Sequence, residues 1–452
     1  MDADDLDYRA RTYSGCIPPH LVARLLEMGH GDVVEAQAAR GEWFCAHTQA
    51  KLLAGRNCQA EALGVLAPYL ATGWWKAAEA AAELLEGCGK HDEAIALLRP
   101  HTEDNGYLQL GFFARLLARH GHGAEAFALL RPHVVDSFLA TALVDVAAAS
   151  GLDEEAADLL TARIQAKSTC GNCGSPSCHR SGVTPWNAIG LLAEIRERQG
   201  HADDAIALLH TRDRPSVNNR DQLADLLVRH GRFEELHAYA VDEYHGHAAA
   251  RLVEWLEERG DIEGAIKVYQ DRVDSPTCFS HAEVHLAELL ARHGRVDEAI
   301  AVMRALTDGG PEDWTVAMLC TMYADHDRAG EGLAYLDDLK ARRGREEWEI
   351  FQSRIPLLVA SGLREEAITQ ARAHPEGDTW YAASAIAELL ADAGRVEEAV
   401  AVLEPHAPAN SSVLAWHLID LGRIEEAVAH LQRARSTPLP PADTTYVDTP
   451  PF

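Results

Sequence analysis

Apolar positions along the chain recur at helical spacing, and they group into short segments separated by single glycines. The clearest example is residues 386–403, IAELLADAGRVEEAVAVL, where two amphipathic segments meet at Gly394. Apolar residues at i, i+3, i+4 and i+7 mark one face of a helix. Strict alternation of apolar and polar residues, which is typical of strands, is almost absent. The pattern predicts pairs of short amphipathic helices and an all-α fold.

This unit recurs along nearly the whole sequence, and we count about thirteen helix pairs. A glycine stands at the turn of most pairs, and Asp327 takes its place in one divergent copy. Glycine suits the turn because a helix commonly ends with a residue in the left-handed region, which costs glycine little. The turn glycines are Gly89, Gly121, Gly151, Gly200, Gly231, Gly260, Gly294, Gly362, Gly394 and Gly422.

Small and large apolar residues occupy fixed offsets from the turn. Around Gly394 these are Ala387 seven residues before it, Leu390 four before it and Ala399 five after it, and many copies share them. Small residues allow helix backbones to approach closely, and leucines one turn away fill the gaps. A single pair could not bury its apolar face alone. We therefore expect one array of mutually dependent pairs rather than separate domains.

In residues 394–403, GRVEEAVAVL, the glycine, the alanine five later and the large apolar residue nine later match a tetratricopeptide-repeat motif. The chain resembles that family over about residues 20–435. The resemblance implies a right-handed α-solenoid of about 13 pairs, whose concave face is lined by the first helix of each pair. Many copies are shorter than the family's usual repeat of about 34 residues.

The family's first-helix aromatic lies one turn earlier here, 14 residues before the turn residue. A large apolar side chain at a recurring site usually fills a recurring gap, so we expect Trp75, Trp186, Trp348 and Trp380 of this row to pack between repeats rather than line a groove. The row consists of Trp75, Tyr107, Trp186, Trp348 and Trp380.

The pattern divides the chain into five segments. Residues 1–19 form an acidic lead, expected to be loose because two prolines end it, and residues 20–165 and 186–435 carry the repeats. Residues 166–185 form a cysteine-rich loop insertion. Residues 436–452 are rich in Pro and Thr and are expected to be disordered or extended.

The insertion is where the sequence suggests chemistry. It contains STCGNCGSPSCHRSG, which places Cys170, Cys173, Cys178 and His179 in one loop. Two cysteines separated by two residues can hold one tetrahedral ion, and a third cysteine with a histidine would complete a structural zinc site. A redox-active thiol pair and a loop of unligated cysteines are the alternatives.

The net charge is −29, and the basic stripe that a nucleic-acid binder usually carries is not found in the sequence. With only six lysines, the clamp of Lys and Asn by which some members of the resembled family hold a carboxyl terminus is not evident either. No apolar run approaches the roughly 18 residues needed to span a membrane. The start, MDADDLDYRA, is unlike a targeting segment, so we expect a cytoplasmic protein. The acidic surface favours a basic or amphipathic protein or peptide partner.

Enzymatic motifs such as a P-loop, G-x-S-x-G or H-E-x-x-H are absent from the sequence. The repeated Arg-His-Gly is interpreted as a helix-end feature, and the acidic pairs after each turn as complements of the helix dipole. The leading hypothesis is a non-enzymatic scaffold or adaptor. The alternatives are a sensor that changes curvature on binding a small peptide or ligand, and an enzyme that uses the cysteine loop.

The resemblance also implies a binding face on the first helices, displaced from the alanine and leucine rows. Solvated helix surface is the alternative for any one of these residues. The candidate partner-binding residues are Glu83, Arg115, Asn218, Asp225, Arg229, Glu254, Glu288, Arg292 and Glu388.

Overall fold

The computed structural model describes residues 2–102, 106–165, 185–212, 216–217, 220–243, 245–274, 282–309 and 312–433. The chain divides into two compact units, with unit 1 formed by Met1–Leu98 and Gly362–Phe452 and unit 2 by Arg99–Ser361. The first part of unit 1 contains α1 (Ala3–Thr12), α2 (Pro19–Glu27), α3 (Gly31–Ala39), α4 (Trp43–Gly55), α5 (Gln59–Leu70), α6 (Trp75–Gly87) and α7 (His91–Leu98).

Unit 2 contains fifteen described α-helices and one short pair of strands. The helices are α8 (Tyr107–Arg119), α9 (Gly123–Leu130), α10 (Ser137–Ser150), α11 (Asp153–Gln165), α12 (Pro185–Arg198), α13 (Ala202–His210), α14 (Gln222–Arg229), α15 (Phe233–Asp242), α16 (His247–Glu258), α17 (Ile262–Val273), α18 (Ala282–Arg292), α19 (Val296–Gly309), α20 (Asp313–Asp325), α21 (Ala329–Arg343) and α22 (Trp348–Ala360). Unit 1 then continues with α23 (Arg364–Ala373), α24 (Trp380–Asp392), α25 (Val396–Leu403), α26 (Ser411–Asp420) and α27 (Ile424–Arg433).

The all-α prediction is confirmed, with one local addition. Strands β1 (Ser216–Val217) and β2 (Arg220–Asp221) pair antiparallel, with Ser216 opposite Asp221. The Asp221 carboxylate then caps α14 by accepting hydrogen bonds from the backbone N–H groups of Leu223 and Ala224, at 3.0 and 3.1 Å. Two residues per strand are too few for sequence alternation to reveal.

The described helices from α2 onward alternate between even-numbered first helices and odd-numbered second helices, and twelve successive pairs lie within one unit, five in unit 1 and seven in unit 2. The turn residue has positive φ, 76° at Gly394 and 58° at Asp327. After the turn, the Arg395 N–H donates to the Leu390 carbonyl at 2.8 Å, which is the Schellman helix ending. The first two pairs turn at Gly29 and Asn57, at 84° and 62°.

The alanine and leucine rows lie where the periodicity places them. Ala387, Leu390 and Ala399 have no exposed surface, and every alanine of the row after the turn is equally buried. A larger side chain at these sites would force neighbouring backbones apart, since protein interiors have few voids. The fully buried row is Ala94, Ala126, Ala156, Ala205, Ala265, Ala299, Ala367, Ala399 and Ala427.

The expectation of a loose lead is wrong, because residues 3–12 form helix α1. Asp2 caps it by accepting from the Asp5 N–H at 2.8 Å, and Leu6 is 2% exposed. The following residues are held by Glu42, whose carboxylate accepts from the N–H groups of Ile17 at 3.2 Å and Cys45 at 2.9 Å. Burial raises the pKa of Glu42, although the hydrogen bonds from Cys45 and Ile17 act in the opposite direction. A partner 25 residues away, as Glu42 is from Ile17, cannot be recognised from the local pattern of apolar and polar residues.

The aromatic row separates into buried and exposed members. Trp348 is 3% exposed and Trp75 is 9% exposed, as packing between repeats requires. Trp380 is 54% exposed, so the packing prediction is wrong for this residue. Tyr107 is 53% exposed, and its ring meets that of Phe138 on α10 edge to face, with 5.7 Å between the ring centres. Each of these four rings belongs to the first residue of its helix, so an equivalent position in the repeat does not by itself decide burial. The Trp186 side chain lies outside the described residues.

Within unit 1, helices from opposite ends of the sequence pack together. Arg24 on α2 forms an ion pair with Asp420 on α26, with 2.6 Å between Nη2 and Oδ1. Its guanidinium carbon also lies 4.9 Å from the ring centre of Trp416. On the second helices, Gln432 donates to Gln37 at 3.0 Å. The first and last described helix pairs of unit 1, α2–α3 and α26–α27, are therefore in contact.

Candidate functional site

Two of the predicted binding residues hold successive first helices together. Arg229 on α14 makes two hydrogen bonds of 2.8 Å to Glu197 on α12, and His230 contacts the same carboxylate at 3.0 Å. Arg292 and His293 repeat this arrangement on Glu257, at 2.9 and 2.6 Å. The Arg-His sequence thus joins neighbouring repeats in addition to lying at a helix end.

Three further predicted residues also have charged neighbours. Arg115 forms an ion pair with Asp145 at 2.8 Å, from α8 to α10. Asp225 and Glu254 both contact Arg251, the former at 2.9 Å and the latter at a shorter distance. These side chains are part of the inter-repeat surface. Asn218 lies outside the described residues.

Glu288 and Arg292 line a groove between the first helices α18 and α20 in unit 2. The groove has a volume of about 660 Å³ and is open to solvent. The resemblance predicted a binding face on successive first helices, and this groove lies on such a face. Its lining consists of Glu288, Ala291, Arg292, Ala317, Met318, Thr321, Met322, Asp325 and His326.

The floor of the α18–α20 groove is apolar and adaptable. Met318 and Met322 lie one turn apart on α20, beside Ala291 and Ala317. Methionine side chains are unbranched and polarizable, so they accommodate partners of different shape. Trp314 extends this face of α20 by one further turn and is 37% exposed. Two of the five methionines of the chain stand within five residues here, a local signal that the sequence reasoning did not use.

The rim of the α18–α20 groove carries charge of both signs, but its arginine already has a partner. Arg292 is bound to Glu257 at 2.9 Å. Glu288 lies 3.6 Å from His285, and both side chains remain half exposed. Asp325 is exposed, and the structure shows no ion pair for it among the described residues. The rim therefore offers carboxylates to a partner.

Glu83 belongs to a second groove of about 600 Å³ in unit 1, lined by α1, α4 and α6. Aromatic rings build its wall, with the His47 ring stacked on Trp43 at 5.2 Å. Burial, with a contribution from Lys51, lowers the pKa of His47 to about 4, so its imidazole is neutral at pH 7. Burial also raises the pKa of Glu83.

Glu388 lines a third groove of about 560 Å³ in unit 1, between α24 and α26. His20 of α2 contributes to its lining, as do Trp416 and His417 of α26. In unit 1, Glu83 and Glu388 thus line two different grooves, while the described predicted residues of unit 2 take part in ion pairs or line the α18–α20 groove.

The predicted zinc ligands Cys170, Cys173, Cys178 and His179 lie outside the described residues. Within the part of the chain that is described, no group of three or more His, Cys, Asp and Glu side chains is placed to hold a metal ion. Among the described helices, none combines the length and the apolar character needed to cross a membrane.

Comparisons with known proteins return little that bears on function. No protein-family model matches the sequence, and no curated protein matches it. The chain is similar to a solved structure of Naa15/Naa10 bound to HypK-THB, with 15% identity, a TM-score of 0.44, and coverage of 91% of this chain and 67% of that chain. The assignment to helical repeats therefore rests on the described helix pairs themselves.

Proposed function

We propose that the chain is a non-enzymatic protein-interaction scaffold whose α18–α20 groove holds a basic, amphipathic segment of a partner protein. The observation that carries the proposal is the pairing of an apolar, methionine-containing floor with the unpaired carboxylate of Asp325. An amphipathic helix binds by laying its apolar face into such a groove. Its basic side chains would then meet the rim.

The charge of the whole chain supports the same partner. A net charge of −29 attracts cationic segments over a distance, while the apolar floor supplies affinity by excluding water. Electrostatic complementarity mainly raises the association rate and selects the partner. The charged surface would therefore attract the partner, and Met318 and Met322 would hold it in the groove.

The test uses a defined probe, a fluorescent amphipathic peptide of about 12 residues with leucines on one helical face and lysines on the other, roughly three turns long. We expect saturable binding to the full chain, with an association rate that falls as salt is added. Asp325→Lys should slow association. Met318→Glu should accelerate dissociation, because it places a charge in the apolar floor.

Glu254→Lys is the matched control, since it makes the same charge change on α16, outside the groove, and was itself a predicted binding residue. A photoreactive group in the peptide should label α18 and α20. Labelling of second helices, or equal effects of Asp325→Lys and Glu254→Lys, would show that general charge attraction rather than this groove holds the peptide.

A further inference from the structure

The groove that Glu83 lines in unit 1 is enclosed by three helices, and we call it the α1–α4–α6 groove. Helices α4 and α6 form two of its walls, and Asp7, Ala10 and Arg11 of α1 form the third. The indole N–H of Trp74 donates to the Asp7 carboxylate at 3.4 Å, which holds α1 beside the start of α6. The groove volume of about 600 Å³ lies in the usual range of small-molecule sites.

Four of the charged side chains of the α1–α4–α6 groove neutralise each other. Arg11 forms an ion pair with Asp7 on α1, with 2.9 Å between Nε and Oδ2, and Lys76 forms one with Glu79 on α6, with 2.7 Å between Nζ and Oε2. Each pair joins residues one turn apart on the same helix, so it forms without a ligand. These two pairs therefore leave no net charge for a ligand to meet.

Lys51 on α4 and Glu83 on α6 carry the remaining charges. Both side chains are exposed, and no described residue forms an ion pair with either. Desolvation in the groove and the neighbouring Glu79 raise the pKa of Glu83, while Lys51 acts in the opposite direction. The two charges thus influence each other although they form no ion pair. His47 adds no charge at pH 7, because its pKa is about 4.

The wall that α4 contributes is aromatic beside Lys51. The His47 ring is stacked on that of Trp43, with 5.2 Å between the ring centres, and Phe44 remains partly exposed. Aromatic rings attract further rings in offset-stacked or edge-to-face arrangements. Thr48 lies on the same wall, three residues before Lys51, and its hydroxyl forms no hydrogen bond with a described residue. The wall therefore offers an aromatic surface next to a hydroxyl and an ammonium group.

We propose that the α1–α4–α6 groove binds a free α-amino acid with an aromatic side chain. The carboxylate of the ligand pairs with Lys51 and accepts from Thr48, its ammonium group pairs with Glu83, and its ring packs against Phe44. A zwitterion suits the site because each of its charges meets an opposite one, whereas a ligand with a single charge leaves one group of the groove unmatched. The site is separate from the α18–α20 groove and does not depend on the function proposed above.

Titration calorimetry on the full chain with L-phenylalanine tests the proposal. Hydrocinnamate lacks the ammonium group and phenethylammonium lacks the carboxylate, while both keep the ring. We expect saturable binding of L-phenylalanine, and each single-charge analogue should bind about tenfold or more weakly, equivalent to about 1.4 kcal/mol. L-Alanine, which lacks the ring, should also bind about tenfold or more weakly. Hydrogen exchange in α1 should slow when L-phenylalanine is bound, because α1 forms the third wall.

Two variants test the two charges separately. Lys51→Met removes the partner of the carboxylate, so it should abolish the preference for L-phenylalanine over phenethylammonium and keep the preference over hydrocinnamate. Glu83→Gln removes the partner of the ammonium group and should give the opposite pattern. Both side chains are exposed, so both variants should melt within a few degrees of the wild type.

Lys90→Met and Glu61→Gln are the controls. They remove the same charges from exposed positions of unit 1 that do not line the groove, and each should leave the affinity for L-phenylalanine within about twofold. Equal losses in the Lys51 and Lys90 variants, a single-charge analogue that binds as tightly as L-phenylalanine, or no saturable binding of L-phenylalanine would overturn the proposal. Tighter binding of glycyl-phenylalanine than of L-phenylalanine would also overturn it, because the groove would then take a peptide.

Discussion

Arg24 and Asp420 stand 396 positions apart in the sequence and form an ion pair whose Nη2 and Oδ1 atoms are 2.6 Å apart. Both side chains are about three-quarters buried, at 24% and 23% exposed, so solvent screens the pair only partly. The hydrogen bond to Asp420 raises the pKa of Arg24 despite the cost of burial. This ion pair links α2, in the first helix pair of unit 1, to α26, in its last described helix pair.

Removing one partner should loosen this contact. We expect Arg24→Ala to cost about 1–3 kcal/mol of local stability, since it leaves a charged hydrogen-bond acceptor partly buried without its partner. Hydrogen exchange should accelerate in α2 and α26 and stay unchanged in α16–α20 of unit 2. Arg11→Ala removes an exposed pair within one helix, to Asp7, and serves as the control. Unchanged exchange in α26 would mean that the ion pair does not stabilise the contact.

The contacts of Arg229 and His230 with the carboxylate of Glu197 predict that the stability of the fold depends on pH. The hydrogen bond from Arg229, supported by that of His230, holds the pKa of Glu197 below its ordinary value of 4.5 although burial opposes this. A lowered pKa in the folded state means that the carboxylate stabilises the fold above pH 4.5 and that this contribution disappears as the pH falls through the folded-state pKa. The melting temperature should therefore fall with acidification in this range.

Glu197→Gln should flatten this part of the pH profile and lower stability at pH 7 by about 1 kcal/mol. Glu258→Gln changes an exposed acid of α16 for which no ion pair is seen, and it should leave the profile unchanged. Thermal melts from pH 3.5 to 7 on the three proteins compare them directly. If the melting temperatures of the wild type and Glu197→Gln change with pH in parallel, the contacts of Arg229 and His230 with Glu197 do not contribute to stability.

Trp348 and Trp380 occupy the same position in their repeats, but their different burial predicts different losses of stability when each is replaced by alanine. Trp348 is 3% exposed, so Trp348→Ala should create a cavity and cost about 3–5 kcal/mol. Trp380 is 54% exposed, and Trp380→Ala should cost about 1 kcal/mol or less. Hydrogen exchange within α22 and α24 measures each effect locally. A larger loss for Trp380 would support the packing predicted from the sequence.

The zinc site remains a prediction of the sequence. If Cys170, Cys173 and Cys178 ligate zinc, protein purified without chelators should contain about one zinc per chain, because metal binding would order a loop with little apolar surface. Cys173→Ser should abolish the metal content, and Cys58→Ser, at a half-buried free cysteine, should preserve it. Metal-free wild-type protein with these thiols open to alkylation would contradict the site.

The sequence by itself determined the helix pairs, because their cause is local. Glycine at a left-handed turn and alanine at a close contact act within a few residues, and Gly394 and Ala399 therefore behave as their spacing predicts. Even the divergent turn at Asp327 has positive φ, at 58°. Only the lead, whose helix α1 is anchored by distant partners, and the two-residue strands escaped this local reasoning.

The tertiary structure decided which side chains of the first helices are exposed and which of them can meet a partner. Whether Arg292 can meet a ligand depends on Glu257, which is 35 residues away and takes up its guanidinium. The burial of Trp348 and Trp380 is likewise not set by their equivalent positions in the repeat, because the first is 3% exposed and the second 54% exposed. The contact between Arg24 and Asp420 joins residues that are 396 positions apart, and such a contact leaves no periodic signal in the sequence. For this reason the grooves could be found only in the folded chain.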